Sequence, residues 1–283
     1  MRCLHFSVLV LLAALGWSSA LNAAEQPGEQ ESGLVAKLHP WGRFEPGAWK
    51  VVHVTMEALN DQGQVVGTSV TDTQTTLVDI DREGITLEIE ACLDVVGKRF
   101  EPEPQTIKQG FHGEPLSPDT KVHGPESGQV EVESQAIPCQ VRQIESSSPN
   151  GKTITTLYYS STIAPYVLRR ESVTTDSAGK RLETTMEVTT MEMPEEVFGE
   201  MKNCFHVKTV QKGPKGTVTT LAAISPDIPG GVIHQSSKEA DKNGRTVRRS
   251  TLNLLAYSTS PDQDRSLFKN KRKEHRRSKT SSK

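Results

Sequence analysis

The chain has 283 residues, of which 34% are hydrophobic, 5% aromatic and 24% charged, with a formal net charge of −2. That length carries one large domain or two small ones, and a single apolar run excludes a multispanning membrane protein. Four Cys are too few for a disulfide scaffold, and nothing in the composition is collagen-like.

Arg2 precedes an apolar run from Phe6 to Leu15, followed by small residues at Ser18–Ala20 and Leu21–Ala23. A charged start, an apolar stretch of roughly ten residues and a small-residue exit read as a secretory signal peptide over 1–23. The run is too short for a bilayer span, which takes about 20 residues. The chain is therefore expected to be exported, periplasmic or extracellular, with no transmembrane helix after cleavage. Cys92, Cys139 and Cys204 stay in the mature chain. They allow one internal disulfide with one Cys left over, or three small buried thiols, and the sequence leaves the pairing open. Residues 24–45 read as a polar linker, led by the Pro- and Gly-bearing stretch Ala24–Ser32.

From residue 46 to 258 the chain reads as one β domain. Trp49 to Met56 is rich in β-branched residues, and Ile85–Glu90 and Leu182–Val188 alternate apolar with polar. Turn pairs separate the runs: Gln62-Gly63, Glu83-Gly84, Asn150-Gly151, Ala178-Gly179, Lys215-Gly216 and Asn243-Gly244. Pro194 to Lys202 alone looks helical, with Pro at its start and two acids in the first turn.

Two stretches match each other, Cys139–Met191 and Cys204–Tyr257, with a period of about 65 residues. Thr155–Leu157 lies over Thr219–Leu221, Pro165 over Pro229, and Gly179-Lys180 over Gly244-Arg245. A fainter copy runs over 46–100, from Pro46 through the turn at Asp61–Gln64. Each unit reads as two hairpins with a Pro at the corner between them. Successive hairpins with one apolar face must curl onto a core. The fold expected is mainly β, a curved antiparallel sheet or open barrel of hairpin repeats with one short helix.

The elements Ser225–Val232, Asn243–Arg245 and Leu252–Tyr257, with Tyr158–Ser160 and Ala164–Ser172 in the first unit, resemble a pattern of signal-peptide-bearing exported bacterial proteins, notably from planctomycetes. More distantly, the strand–Pro–strand layout is similar to the half-barrels of LolA/LolB-like periplasmic lipoprotein carriers. That second resemblance implies a sheet wrapped around an apolar groove that takes acyl chains. Helices of the kind that plug such a groove are nearly absent here.

Asp79, Asp81, Glu83 and Glu90 fit much of a calcium-loop spacing, with Gly84 at the sixth position. Strands on both sides argue against it, because that loop needs flanking helices, and neither metal nor cofactor is expected. Ser148–Thr153 holds a Gly-Lys-Thr end without the first Gly of a phosphate loop, and reads as a hairpin turn. Seven scattered His show no helical metal spacing, though His112-Gly113-Glu114-Pro115 and His123-Gly124-Pro125-Glu126 echo each other. No Gly-x-Ser-x-Gly elbow occurs, so catalysis is not the expected role.

From about residue 259 the chain reads as a disordered tail ending in a basic stretch. Lys269 to Lys283 carries eight Lys or Arg and one Glu, while the rest, Arg2 aside, holds 24 basic and 34 acidic residues. Lys271, Arg272, Lys273, Arg276 and Arg277 are candidates for contact with an anionic envelope surface, each adding on the order of 1 kcal/mol. Nucleic acid is not expected, since only Phe268 is near for stacking. The leading expectation is an exported, non-catalytic envelope protein binding a lipid or other apolar ligand in its curved sheet. The alternative is a structural or protein-interaction module with an acidic body and basic tail. A hydrolase whose site forms only in three dimensions is the third class.

Overall fold

The computed structural model describes residues 36–261 apart from 96, 117 and 118. The expected signal peptide over 1–23, the first part of the expected linker and the basic stretch with Lys271 to Arg277 lie outside the described residues. The described chain forms fourteen strands and no helical element: β1 Trp49–Leu59, β2 Val65–Ile80, β3 Ile85–Val95, β4 Lys98–Phe100, β5 Gln105–Gln109, β6 Lys121–Val132, β7 Gln135–Ser148, β8 Gly151–Tyr159, β9 Val167–Asp176, β10 Arg181–Val197, β11 Glu200–Gly213, β12 Gly216–Ile224, β13 Val232–Asp241 and β14 Thr246–Ser258.

All belong to one antiparallel sheet in the order β4-β3-β2-β1-β14-β13-β12-β11-β10-β9-β8-β7-β6, with β5 pairing β3 beside β4. β1 pairs both β2 and β14, so the first strand lies inside the sheet. The two edges are joined by the residues between Gln109 and Lys121 alone. Twelve extended residue steps reach roughly 40 Å. A flat sheet of this width, at about 4.8 Å between strands, would measure nearly 60 Å. The sheet must therefore curl, which the native strand twist favours. Its edges do not pair with each other, so the barrel stays open. Edge strand β6 carries Pro125 at a register irregularity between His123 and Glu126, where a missing N–H is tolerated.

The turns follow from their residues. Asp176 and Asp241 each accept two backbone N–H bonds across a short turn, at Ala178 and Lys180 and at Asn243 and Arg245. Gly151 and Gly216 open β8 and β12 with φ of 150° and 147°, and an added Cβ would fall 2.2 Å from Thr175 O and 2.0 Å from Ala240 O. Only glycine fits there.

Residues 194–202 are not helical. They form the end of the β10–β11 hairpin, closed by Phe198 and Gly199 with φ of 53° and 82°. Two positive φ values make the tight turn whose twist matches paired strands, and that long-range pairing overrides the helical start signal. Pro194 pairs with Asn203 just past register irregularities in β10, beyond Glu187 where the β9 ladder ends, so β9 asks for no N–H there. The β6–β7 hairpin turns the same way at Glu133 and Ser134.

Both hairpin ends fold onto the sheet. Val132 and Cys139 pack with Leu168, Val188 and Val207. Val197 and Cys204 pack with Val52, Ile233 and Leu254. Each fully buried aliphatic side chain contributes about 1.5–3 kcal/mol.

The linker expectation does not hold over residues 36–45. Leu38 and Trp41 are buried, Leu38 against Leu157 and Tyr159, Trp41 against Ala48, Leu77 and Ile85. The segment bridges the two halves of the curled sheet and fills the space between them. Its apolar residues sit at the far end from the Pro- and Gly-rich stretch, which explains why composition alone misreads it.

Candidate functional site

The calcium-loop residues are not assembled. Asp81 Oδ1 caps the β2–β3 turn by accepting from the N–H groups of Glu83 and Gly84. Lys108 places its Nζ 2.6 Å from Asp81 and 2.6 Å from Glu83, so a lysine supplies the positive charge. Asp79 pairs with Thr86 on the ladder, and Glu90 lies opposite Gln74, four residues or about 13 Å along β3. Among the described residues no group of three or more His, Cys, Asp or Glu is arranged to hold a metal ion. Ser148 to Thr153 is the β7–β8 turn with its flanking strand residues. Cys92, Cys139 and Cys204 are buried and form no disulfide with one another, and burial pushes the Cys204 thiol up to about 11, with Glu195 adding to the shift.

His112 and Glu114 belong to a polar latch under the segment that joins the sheet edges. His112 N donates to Glu114 Oε2 at 2.8 Å, and Arg170 from β9 donates to His112 O. Arg142 of β7 reaches His112 Nε2 at 3.4 Å. Beside them Trp41 N donates to His39 Nδ1 at 3.2 Å, and the Gln109 amide lies 2.7 Å from His39 Nε2. Because Nδ1 accepts, Nε2 carries the proton, so a hydrogen bond to Gln109, whose Nε2 stands at that position, requires the amide turned over to present its oxygen. Burial drives the His39 pKa down to about 4, Arg170 and His112 push the same way, and Glu114 only partly opposes. For Glu114 burial works upward, but the hydrogen bond and charge of His112 outweigh it and hold the carboxyl below its ordinary value. Lys50, also buried, is lowered to about 8 by desolvation and donates to Gly230 O at 3.1 Å. These groups hold the filling segment in place.

The open face lies across β12, β13, β14 and β1. One row places Leu221, Ser236, Thr251 and Thr55 directly opposite one another, and the next places Thr219, Lys238, Arg249 and Glu57. Direct cross-strand partners share a face. These two rows line a groove of about 550 Å³. Arg249 pairs with Glu57 inside it, and Leu221 is its one exposed large apolar side chain. The neighbouring row runs Asp72, His53, Asn253, His234, Ala223 and His206. Glu195 joins two of these, at 2.9 Å from His206 Nε2 and 3.5 Å from His234 Nδ1.

Asp72, His53 and Thr55 line up as acid, base and hydroxyl, with Asp72 Oδ1 2.7 Å from His53 Nδ1 and Thr55 Oγ1 3.4 Å from His53 Nε2. The β2–β1–β14 ladder engages the backbone around them, so no pair of free N–H groups faces the hydroxyl. An oxyanion formed there would depend on side-chain donors. The three residues form a strand-surface hydrogen-bond chain.

Thr219 and Leu221 stood out only through the Thr-Thr-Leu repeat match, not as part of a groove. The signal the groove residues share is a spacing of two, as in Thr219 and Leu221, Ser236 and Lys238, or Arg249 and Thr251, which alternation places on one face. Of the latch only His112 and Glu114 left a signal, in the His112–Pro115 stretch echoed at His123–Glu126, because its other members are scattered from His39 to Arg170.

No protein-family model matches the chain, and no curated protein matches it. Among solved structures, a Bacteroides fragilis chain described as "a putative exported protein with YmcC-like fold" aligns over 75% of this chain and 97% of its own, at 10% identity and a TM-score of 0.28. At that score the likeness transfers neither fold nor function.

Proposed function

We propose that the protein is an exported, non-catalytic interaction module that takes a polar, extended partner along the β12–β13–β14–β1 groove. Export rests on the Arg2–Ala23 pattern. The observation that carries the rest is the contrast between interior and groove. Leu38, Trp41 and the latch fill the curl of the sheet, where a lipid carrier would hold acyl chains. The groove presents hydroxyls of Thr55, Thr219, Ser236 and Thr251 beside Lys238 and the Glu57–Arg249 pair. Its volume of about 550 Å³ suits a few residues of a hydrophilic chain.

Native mass spectrometry tests this on the secreted chain, residues 24–283, purified without detergent. The probes are a short oligouronate, carrying hydroxyls and carboxylates, and a phospholipid. An oligouronate adduct that weakens in Lys238→Glu and Leu221→Asp is expected. A co-purified lipid, or an adduct with phospholipid alone, overturns the reading in favour of a carrier. Ester hydrolysis that disappears in His53→Ala overturns it in favour of an enzyme.

A further inference from the structure

The end of the β10–β11 hairpin is an apolar surface set among acids. Phe198 is 59% exposed, Met201 65% and Leu255 47%. Val197, Phe198, Leu255 and Tyr257 line an open pocket of about 350 Å³ together with Glu200. The Phe198 and Tyr257 rings lie 6.0 Å apart. Glu196 stands directly opposite Met201, and Glu192, Glu196 and Glu200 are all exposed. Lys202 answers Glu200 at 2.7 Å, which leaves the hairpin end net acidic. Acids at its margin make an anionic bilayer a poor match. The chemistry asks for an occupant apolar at its centre and cationic at its flank.

A segment of that kind follows β14, the strand that forms one wall of the pocket. β14 ends at Ser258, and Leu267-Phe268 come next to Lys269, Lys271, Arg272 and Lys273. The nine steps from Ser258 to Leu267 reach about 30 Å when extended, enough to turn back onto Leu255. A tether this short gives an effective concentration on the order of millimolar, so a weak contact suffices.

We propose that Leu267 and Phe268 dock in the pocket between Phe198 and Tyr257, and that the basic residues after them lie against Glu196 and Glu200. The hairpin end then serves as the receptor for the chain's own basic segment. Docking withholds those charges from other anionic partners until a stronger one displaces them.

Hydrogen exchange on the full secreted chain tests this, read over residues 196–201 and 254–257 at several protein concentrations. Protection there is expected to fall about tenfold in Phe268→Ser, and likewise in the double variant Glu196→Lys/Glu200→Lys. Adding Lys271→Glu, Arg272→Glu and Lys273→Glu to that double variant should restore it. Raising salt should weaken it, because the charges are exposed. Equal protection in Phe268→Ser overturns the proposal. So does protection that grows with protein concentration, which would mark a second copy as occupant, or protection that needs phosphatidylglycerol vesicles, which would mark a lipid surface. If the hairpin variant does not fold, Phe268→Ser and the triple tail variant decide the matter alone.

Discussion

Arg170 of β9 donates to the carbonyl oxygen of His112, in the segment that carries the chain from one edge of the sheet to the other. With Arg142 on the His112 ring, that bond fastens the return segment to the face it crosses. Arg170 is half-buried, and Glu114 is the opposing charge that acts on it. Arg170→Met removes the donor and leaves Glu114 buried with less compensation. We expect a loss of about 2–3 kcal/mol, read as a lower urea midpoint. An unchanged midpoint would show that the segment is held by other contacts, such as the packing of Phe111 on the Trp41, Leu77 and Ile85 cluster.

His39 gives stability a pH dependence with a definite sign. Its folded pKa is about 4 against an ordinary 6.5. Between those values the unfolded chain binds the proton and the folded chain does not, so stability rises with pH and is lost on acidification. The loss approaches about 3 kcal/mol by the lower end of that window. Arg170 and His112 face His39 and deepen the effect, and Glu114 reduces it. Glu114, whose folded pKa is itself depressed, adds its own loss below the ordinary carboxylate range. Urea midpoints from pH 7 down to pH 4 should fall steeply in the native chain and less steeply in His39→Gln. Parallel profiles would remove His39 as the cause.

Two glycines with similar roles in sequence differ in cost. Gly216 at φ 147° has Ala240 O where a Cβ would sit, whereas Gly179 at φ 76° has open space around it. Gly179→Ala should cost about 1 kcal/mol from backbone strain alone, and Gly216→Ala at least twice that. Thermal midpoints of the two variants compared side by side test the difference. Gly151→Ala should follow Gly216, since it meets Thr175 O in the same way.

The three thiols should be silent in the folded protein. Cys92, Cys139 and Cys204 are buried and not joined in a disulfide, and burial raises Cys139 and Cys204 away from the reactive thiolate form. At pH 8 a soluble disulfide reagent should label none of them within minutes, and all three after denaturation. Prompt labelling of Cys204 would mean that the β10–β11 hairpin end lifts off the sheet.

The turns were legible because each is a local decision. Asn150-Gly151, Ala178-Gly179, Lys215-Gly216 and Asn243-Gly244 all lie at strand junctions, where glycine geometry acts without help from the rest of the chain. What stayed hidden depends on distant partners. Pro194 to Lys202 has helical local preferences, and only pairing across Phe198-Gly199 makes it a hairpin. Leu38 and Trp41 look like loop residues until Leu157 and Leu77 come to meet them. The acidic run at Asp79–Glu83 read as a turn with its acids in water, and Lys108, beyond the reach of any local motif, pairs with them instead. The groove was invisible for a different cause, because Thr and Ser at alternate positions are ordinary strand surface until four strands align them.

The pairing of β1 with β14 also bears on how the chain reaches its native state. Trp49 waits for Ser258, nearly the whole length of the sheet later in synthesis, while hairpins between neighbouring strands can close at once. Contacts of such high sequence separation slow folding. A chain delivered across a membrane amino end first would carry an unsealed seam along β1 until the last strand emerged. During that interval β1 offers a bare row of amide and carbonyl groups to any extended strand nearby. Secretion at high yield should therefore depend on whatever shields that seam, and crowding among half-delivered copies is where misassembly would begin.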